Sequence, residues 1–131
     1  MLSLALLLPS APGAKDRFNR QERELEEARK LIHTGEFAEA TTALRKYIQI
    51  WGDSSRGAEA AYLLAEAMEG DVRENPKATE LEIRKIADQY RAAESRGYPS
   101  DSVLRGITRV ANLLRSREFY GAAGDLYQNQ L

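Results

Sequence analysis

His33 is the only histidine of the 131-residue chain, and there is no cysteine. Those two facts remove disulfides, thiolate zinc sites, a cysteine nucleophile and a lipid-anchor cysteine from this stretch of chain. They also leave His33 without a second His or Cys to share a metal. His33 stands two residues before Gly35, at the end of an apolar-periodic stretch, where an imidazole interacts favourably with a helix C-terminus. Glu24, Glu26 and Glu27 are grouped, but on a charge-dense segment with nothing to desolvate them, so a raised pKa suited to acid–base work is not expected. Glu69-Gly70-Asp71 lacks the remaining ligands of a calcium loop. The chain has no Gly-rich phosphate loop, nucleophile elbow or dinucleotide fingerprint. The expectation is a non-enzymatic protein, with no cofactor or metal, that works through its surface.

The charge balance narrows the choice of partner. There are 19 basic and 20 acidic residues, for a net charge of −1, which gives no electrostatic case for nucleic acid or an anionic membrane. At this length the chain forms one domain with a modest core. Residues 1–15, MLSLALLLPSAPGAK, read as a leader: an apolar run broken by Pro9, then small residues with Ala11 or Ala14 as the cleavage residue. The run is far too short to span a membrane. Export, to the periplasm, is the expectation for this segment; a chain whose leader is not a signal would remain cytoplasmic.

The remaining chain is punctuated as helices. Asp16 to His33 is expected as the first, with Asp16 as N-cap and Phe18, Leu25, Ala28, Leu31 and Ile32 on its apolar face. Gly35 follows, where a left-handed C-cap forms most easily. Phe37, Ala40, Leu44 and Tyr47 or Ile48 then mark a second stripe. Only Thr34-Gly35-Glu36 separates the two, which implies an antiparallel helix hairpin. Trp51 is expected to plug the joint that follows. Asp53-Ser54-Ser55 is expected to cap a third helix ending at Gly70, with Ala61, Leu64, Ala65 and Met68 inward. Asn75-Pro76 reads as the start of a fourth helix, bearing Ala78, Leu81, Ile83 or Ile86, and Tyr90. A break at Arg96-Gly97-Tyr98-Pro99 precedes a fifth, carrying Leu104, Ile107, Val110, Ala111 and Leu114. A sixth, Glu118 to Gln130, carries Phe119, Ala122, Ala123, Leu126 and Tyr127.

One register recurs. Leu31, Glu36, Phe37, Ala40 and Leu44 match Leu113, Glu118, Phe119, Ala122 and Leu126, each 82 residues on. With one helix pair between them, the period is 41, half of 82. A hairpin of this size cannot bury its own apolar face, so repetition is the natural solution.

The pattern Ala28, Leu31, Gly35, Phe37, Ala40, Leu44 resembles a tetratricopeptide repeat. Gly52 to Met68, GDSSRGAEAAYLLAEAM, is similar to the junction in bacterial periplasmic repeat proteins of the Tol-Pal coordinator and β-barrel assembly lipoprotein type. The resemblance implies an all-α fold: a right-handed superhelix of about three antiparallel helix pairs, with units near 16–52, 53–96 and 99–131. It implies a peptide or helix of a partner protein lying across the first helices of the pairs. Carried over position by position, the groove-facing candidates are Arg29 and His33, then Tyr62, Glu66 and Glu69, then Ala111 and Arg115. The alternative is a structural subunit that self-associates through its uncapped C-terminal helix.

Overall fold

The computed structural model describes residues 13–129. They form six helices, 81% of the described chain, with no strand among them. In chain order these are α1 (Ala14–His33), α2 (Phe37–Trp51), α3 (Gly57–Glu74), α4 (Glu80–Ser95), α5 (Ser100–Ser116) and α6 (Tyr120–Gln128). None is long and apolar enough to cross a membrane. Residues 1–12, and with them most of the expected leader, lie outside the described residues.

Each helix packs on its sequence neighbours, and α3 also touches α1 and α5. The core has two parts. Leu25 and Ala28 of α1, Ala40, Leu44 and Tyr47 of α2, and Ala60, Leu63, Leu64 and Ala67 of α3 form the first. Leu31, Ile32, Ile48 and Trp51 pack against its edge. The second joins Ala65 and Val72 of α3 to α4, α5 and α6 through Ile83, Ile86, Tyr90, Val103, Val110, Leu114, Ala123 and Leu126. α3 serves both because its many alanines leave little side chain between backbones.

The turns repeat one device. Gly35 (φ 80°), Gly97 (φ 103°) and Glu118 (φ 68°) each take the left-handed conformation just past a helix. After α1, the Gly35 and Glu36 N–H groups donate to the Ile32 and Leu31 carbonyls at 3.1 and 2.8 Å. After α4, Gly97 and Tyr98 donate to Glu94 and Ala93 at 2.9 and 3.0 Å. After α5, Glu118 and Phe119 donate to Arg115 and Leu114, both at 2.9 Å. All three are Schellman closures, which satisfy carbonyls that a helix end leaves open.

A second device ties alternate helices together. Arg96, the C-cap residue of α4, donates to the Gly52 carbonyl at the end of α2 (2.5 Å). Arg117, the C-cap residue of α5, donates to the Val72 and Asn75 carbonyls at the end of α3 (2.8 and 2.6 Å). The C-terminal ends of α2 and α4 therefore lie side by side, as do those of α3 and α5.

Several sequence expectations are corrected. α1 starts at Ala14 with Gly13 as N-cap, and Asp16 sits in the first turn, where its charge still favours the helix dipole. α3 begins at Gly57, without a side-chain cap from Asp53-Ser54-Ser55, and runs past Gly70 to Glu74. Gly70 lies inside the helix, and the Phe37 ring occupies the space a Cβ there would need. α4 starts at Glu80: the Thr79 side chain accepts from the Glu82 N–H at 3.1 Å, and Asn75 instead ends α3. α6 begins at Tyr120 rather than Glu118. Phe18, Leu81 and Leu104, expected inside, are exposed at 50%, 62% and 44%. Val103 fills the core position beside Leu104.

The repeat register also shifts by one. Glu36 and Phe119 both act as N-caps, with φ, ψ of −88°, 64° and −89°, 63°. Their separation is 119 minus 36, or 83 residues, not the 82 read from side-chain identities.

Candidate interaction face

One side of α3 carries Glu59, Tyr62, Glu66 and Glu69, at spacings of 3, 4 and 3 residues that keep them on one stripe. α1 lies on one side of this stripe and α5 on the other, with the Gly97-Tyr98-Pro99 turn beside it. Charged side chains of all three helices meet there.

At the α1 side, the Arg29 guanidinium donates to Glu59 and, at 3.0 Å, to Glu26. The Glu59 hydrogen bond raises the arginine's pKa further above its ordinary value, outweighing the effect of burial. Arg56, at the N-cap of α3, bridges Glu22 (2.5 Å) and Glu59 (3.3 Å). Trp51 donates its indole N–H to Glu24 at 3.0 Å, and the half-buried residue packs on the first core cluster.

In the middle, Tyr62 stacks on Tyr98 with centroids 4.1 Å apart and planes at 12°. It meets Tyr90 edge-on at 5.4 Å and 62°. Both arrangements suit the quadrupoles of the rings. Burial pushes the Tyr98 phenol up, and the neighbouring Tyr62, Glu66 and Glu59 add to it while Arg29 works the other way. Glu66 is half-buried and, among the described residues, forms no hydrogen bond or ion pair. Burial raises its pKa, Arg109 partly reverses that, and Glu69 adds to it.

At the α5 side, Glu69 is buried, the only charged side chain in the core among the described residues. It accepts from the Tyr90 hydroxyl at 2.7 Å, from Arg109 at 3.2 and 3.4 Å, and from Arg73 at 3.1 Å. Arg109 also donates to the Tyr90 oxygen at 3.1 Å. Burial, then the Glu69 charge, holds the Tyr90 phenol far above its usual range. Burial works against the charge of Arg109, but Glu69 and Tyr90 outweigh it and hold its pKa above the ordinary arginine value. The buried carboxylate is thus compensated by two guanidinium groups and a phenol.

Of the residues singled out in the sequence, the structure brings together Arg29, Tyr62, Glu66 and Glu69. Glu69 is committed to the interior rather than open to a ligand. Ala111 is buried in the second core cluster. His33 and Arg115 are exposed in the last turns of α1 and α5, and their side chains make no hydrogen bond or ion pair among the described residues. Arg109, Tyr98 and Glu59 belong to the face but were not singled out. Tyr98 was hidden in a segment read only as a break. Arg109 sits at a polar position of α5 with no local motif, and only the approach of α3 reveals its role.

No group of three or more metal-ligating side chains is clustered among the described residues. No protein-family model matches the chain. Neither a curated protein nor a solved structure is significantly similar to it.

Proposed function

We propose that the chain is a non-catalytic protein-interaction module of tetratricopeptide-like build, in which three helix pairs stack and the face shared by α1, α3 and α5 receives a peptide or helix of a partner. The observation that carries this reading is the gathering of Arg29, Glu59, Tyr62, Glu66 and Arg109 from three separate helices onto one face. Support for the stacking comes from the side-by-side ends of α2 with α4 and of α3 with α5, which helix pairs repeated in one orientation produce. The signal-like leader and the periplasmic character of Gly52 to Met68 favour an exported, envelope-associated adaptor.

The test is capture from an envelope extract with the wild-type chain, a Tyr62→Ala variant and an Ile50→Glu variant on the exposed part of α2. Circular dichroism confirms that each is folded. Loss of one partner with Tyr62→Ala alone is the expected result. Loss with Ile50→Glu alone would overturn the choice of face.

A second reading, self-association through α6, has its own observation. Phe37 lies over Gly70 of the following helix pair. Its counterpart 83 residues on is Tyr120, which is 63% exposed. A second copy would cover that ring. Sedimentation at rising concentration distinguishes the readings: a chain that stays monomeric defeats self-association.

A further inference from the structure

The charges on the α1/α3/α5 face nearly cancel, and the remainder is localised. Every guanidinium there is engaged: Arg29 with Glu26 and Glu59, Arg56 with Glu22 and Glu59, Arg73 and Arg109 with Glu69. Those four arginines face Glu22, Glu26, Glu59, Glu66 and Glu69, and a sixth carboxylate, Glu24 on the α1 side, accepts from the Trp51 indole N–H. Of these six only Glu66 has neither an ion pair nor a hydrogen bond among the described residues. Arg109 is near enough to be felt by Glu66 but is held by two bonds to Glu69 and one to Tyr90. Swinging it across to Glu66 would strip the buried Glu69 of a counter-charge, which is the more costly loss.

The surroundings of Glu66 suit a cation. Tyr62 lies one helical turn before it, and Tyr62 and Tyr98 are stacked on one another and both half-buried. An arginine or lysine side chain is attracted both by a carboxylate and by the faces of tyrosine rings. An acidic or purely apolar group would leave Glu66 more deeply desolvated and still unpaired.

We propose that this face receives a basic side chain, arginine or lysine, of a partner peptide, its cation paired with the Glu66 carboxylate and lying beside the Tyr62–Tyr98 stack. The proposal rests on the reading of this face as the partner surface and names the chemistry of what it takes. The partner is therefore a peptide with a basic residue flanked by neutral ones, since the adjoining carboxylates already have ion-pair or hydrogen-bond partners.

The test is an NMR titration of the full chain with two probes, the peptide acetyl-Ala-Ala-Arg-Ala-Ala-amide and its counterpart with citrulline, which keeps the shape and loses the charge. Ring resonances of Tyr62 and Tyr98 and the Glu66 side-chain carboxyl report the site. The arginine peptide is expected to shift all three, at least tenfold more tightly than the citrulline peptide. In Glu66→Gln, whose amide spectrum checks the fold, that preference is expected to vanish. Equal binding of the two peptides, or an unchanged preference in Glu66→Gln, would overturn the basic-side-chain proposal while leaving the face itself as a binding surface. An absence of shifts at these residues at millimolar peptide would also overturn it. The face reading then still answers to the Tyr62→Ala capture experiment, so the two failures are told apart.

Discussion

Glu69 and Glu66 lie three residues apart on one helix and have opposite fates. Glu69 is buried and compensated by Tyr90, Arg73 and Arg109. Removing the Tyr90 hydroxyl takes away a hydrogen bond to a buried charge, an interaction that contributes about 1.5–3 kcal/mol. Tyr90→Phe is therefore expected to lower the unfolding free energy by about that amount in urea denaturation. A loss below about 0.5 kcal/mol would mean that the two arginines suffice alone. Glu66 is half-buried and lacks such partners, and burial raises its pKa above the ordinary 4.5. The sign follows from proton linkage. Between 4.5 and the raised value, the folded chain holds a proton that the unfolded chain has released. Stability contributed by this group is thus fully present below 4.5 and falls as pH rises through that window. Glu66→Gln is expected to melt higher than the wild type at pH 7, with the difference closing toward pH 4. A lower melting temperature at pH 7 would show that the Glu66 carboxylate makes a stabilising contact in the folded chain.

Among the elements, the helix ends decide where the backbone turns. The reading of Gly35 as a left-handed cap came directly from its position after an apolar stripe, and the structure has it at φ 80°. The equivalent turn after α5 puts Glu118 in that conformation, where a side chain costs about 1–2 kcal/mol that glycine avoids. Glu118→Gly is expected to stabilise the chain by about 1 kcal/mol, the gain reduced by the greater freedom of glycine when unfolded. Thermal melts beside the wild type check it; a destabilised variant would show that the Glu118 side chain makes a compensating contact. The start of α4 was also legible, in Thr79-x-x-Glu82, a capping-box spacing. Asn75-Pro76 masked it because that pair looks like a helix start when read alone. The extension of α3 through Gly70 was not legible. A glycine there reads as a helix end, and only the Phe37 ring lying against it, a contact between residues 33 positions apart (70 minus 37), shows why the position excludes a side chain. Side-chain likeness set the repeat offset at 82, yet backbone turns set it at 83, because Phe37 and Phe119 look equivalent while Tyr120 takes the place of Phe37 in the helix. The same limit explains Arg109: its partners come from α3 and α4, and no local spacing announces them.

At the scale of the whole molecule, α3 is the element both core clusters share, and among the described residues the substantial helix contacts join only neighbours and next neighbours in sequence. In such an arrangement stability is close to a sum of local terms, and damage stays near its origin. Leu44 is fully buried in the first cluster, which involves α1, α2 and α3. Leu44→Ala removes its packing and leaves a cavity, at a cost of about 2–5 kcal/mol. Native-state hydrogen exchange should then show α1 and α2 losing protection by the equivalent of that cost. α5 and α6, held by the second cluster, should lose much less. Gly106→Ala should behave differently. Its added Cβ would sit 2.6 Å from the Tyr90 ring, which is fully buried and bonded to Glu69 and Arg109, so the ring cannot simply move aside. Overpacking of about 1–3 kcal/mol outweighs the ~1 kcal/mol that alanine adds to helix propensity. Because Tyr90 reaches Glu69 on α3, that loss should lower protection in α3, α4 and α5 together. Equal loss in all six helices for both variants would mean that the chain unfolds only as one unit. Coupling through α3 would then be stronger than the nearest-neighbour contacts imply.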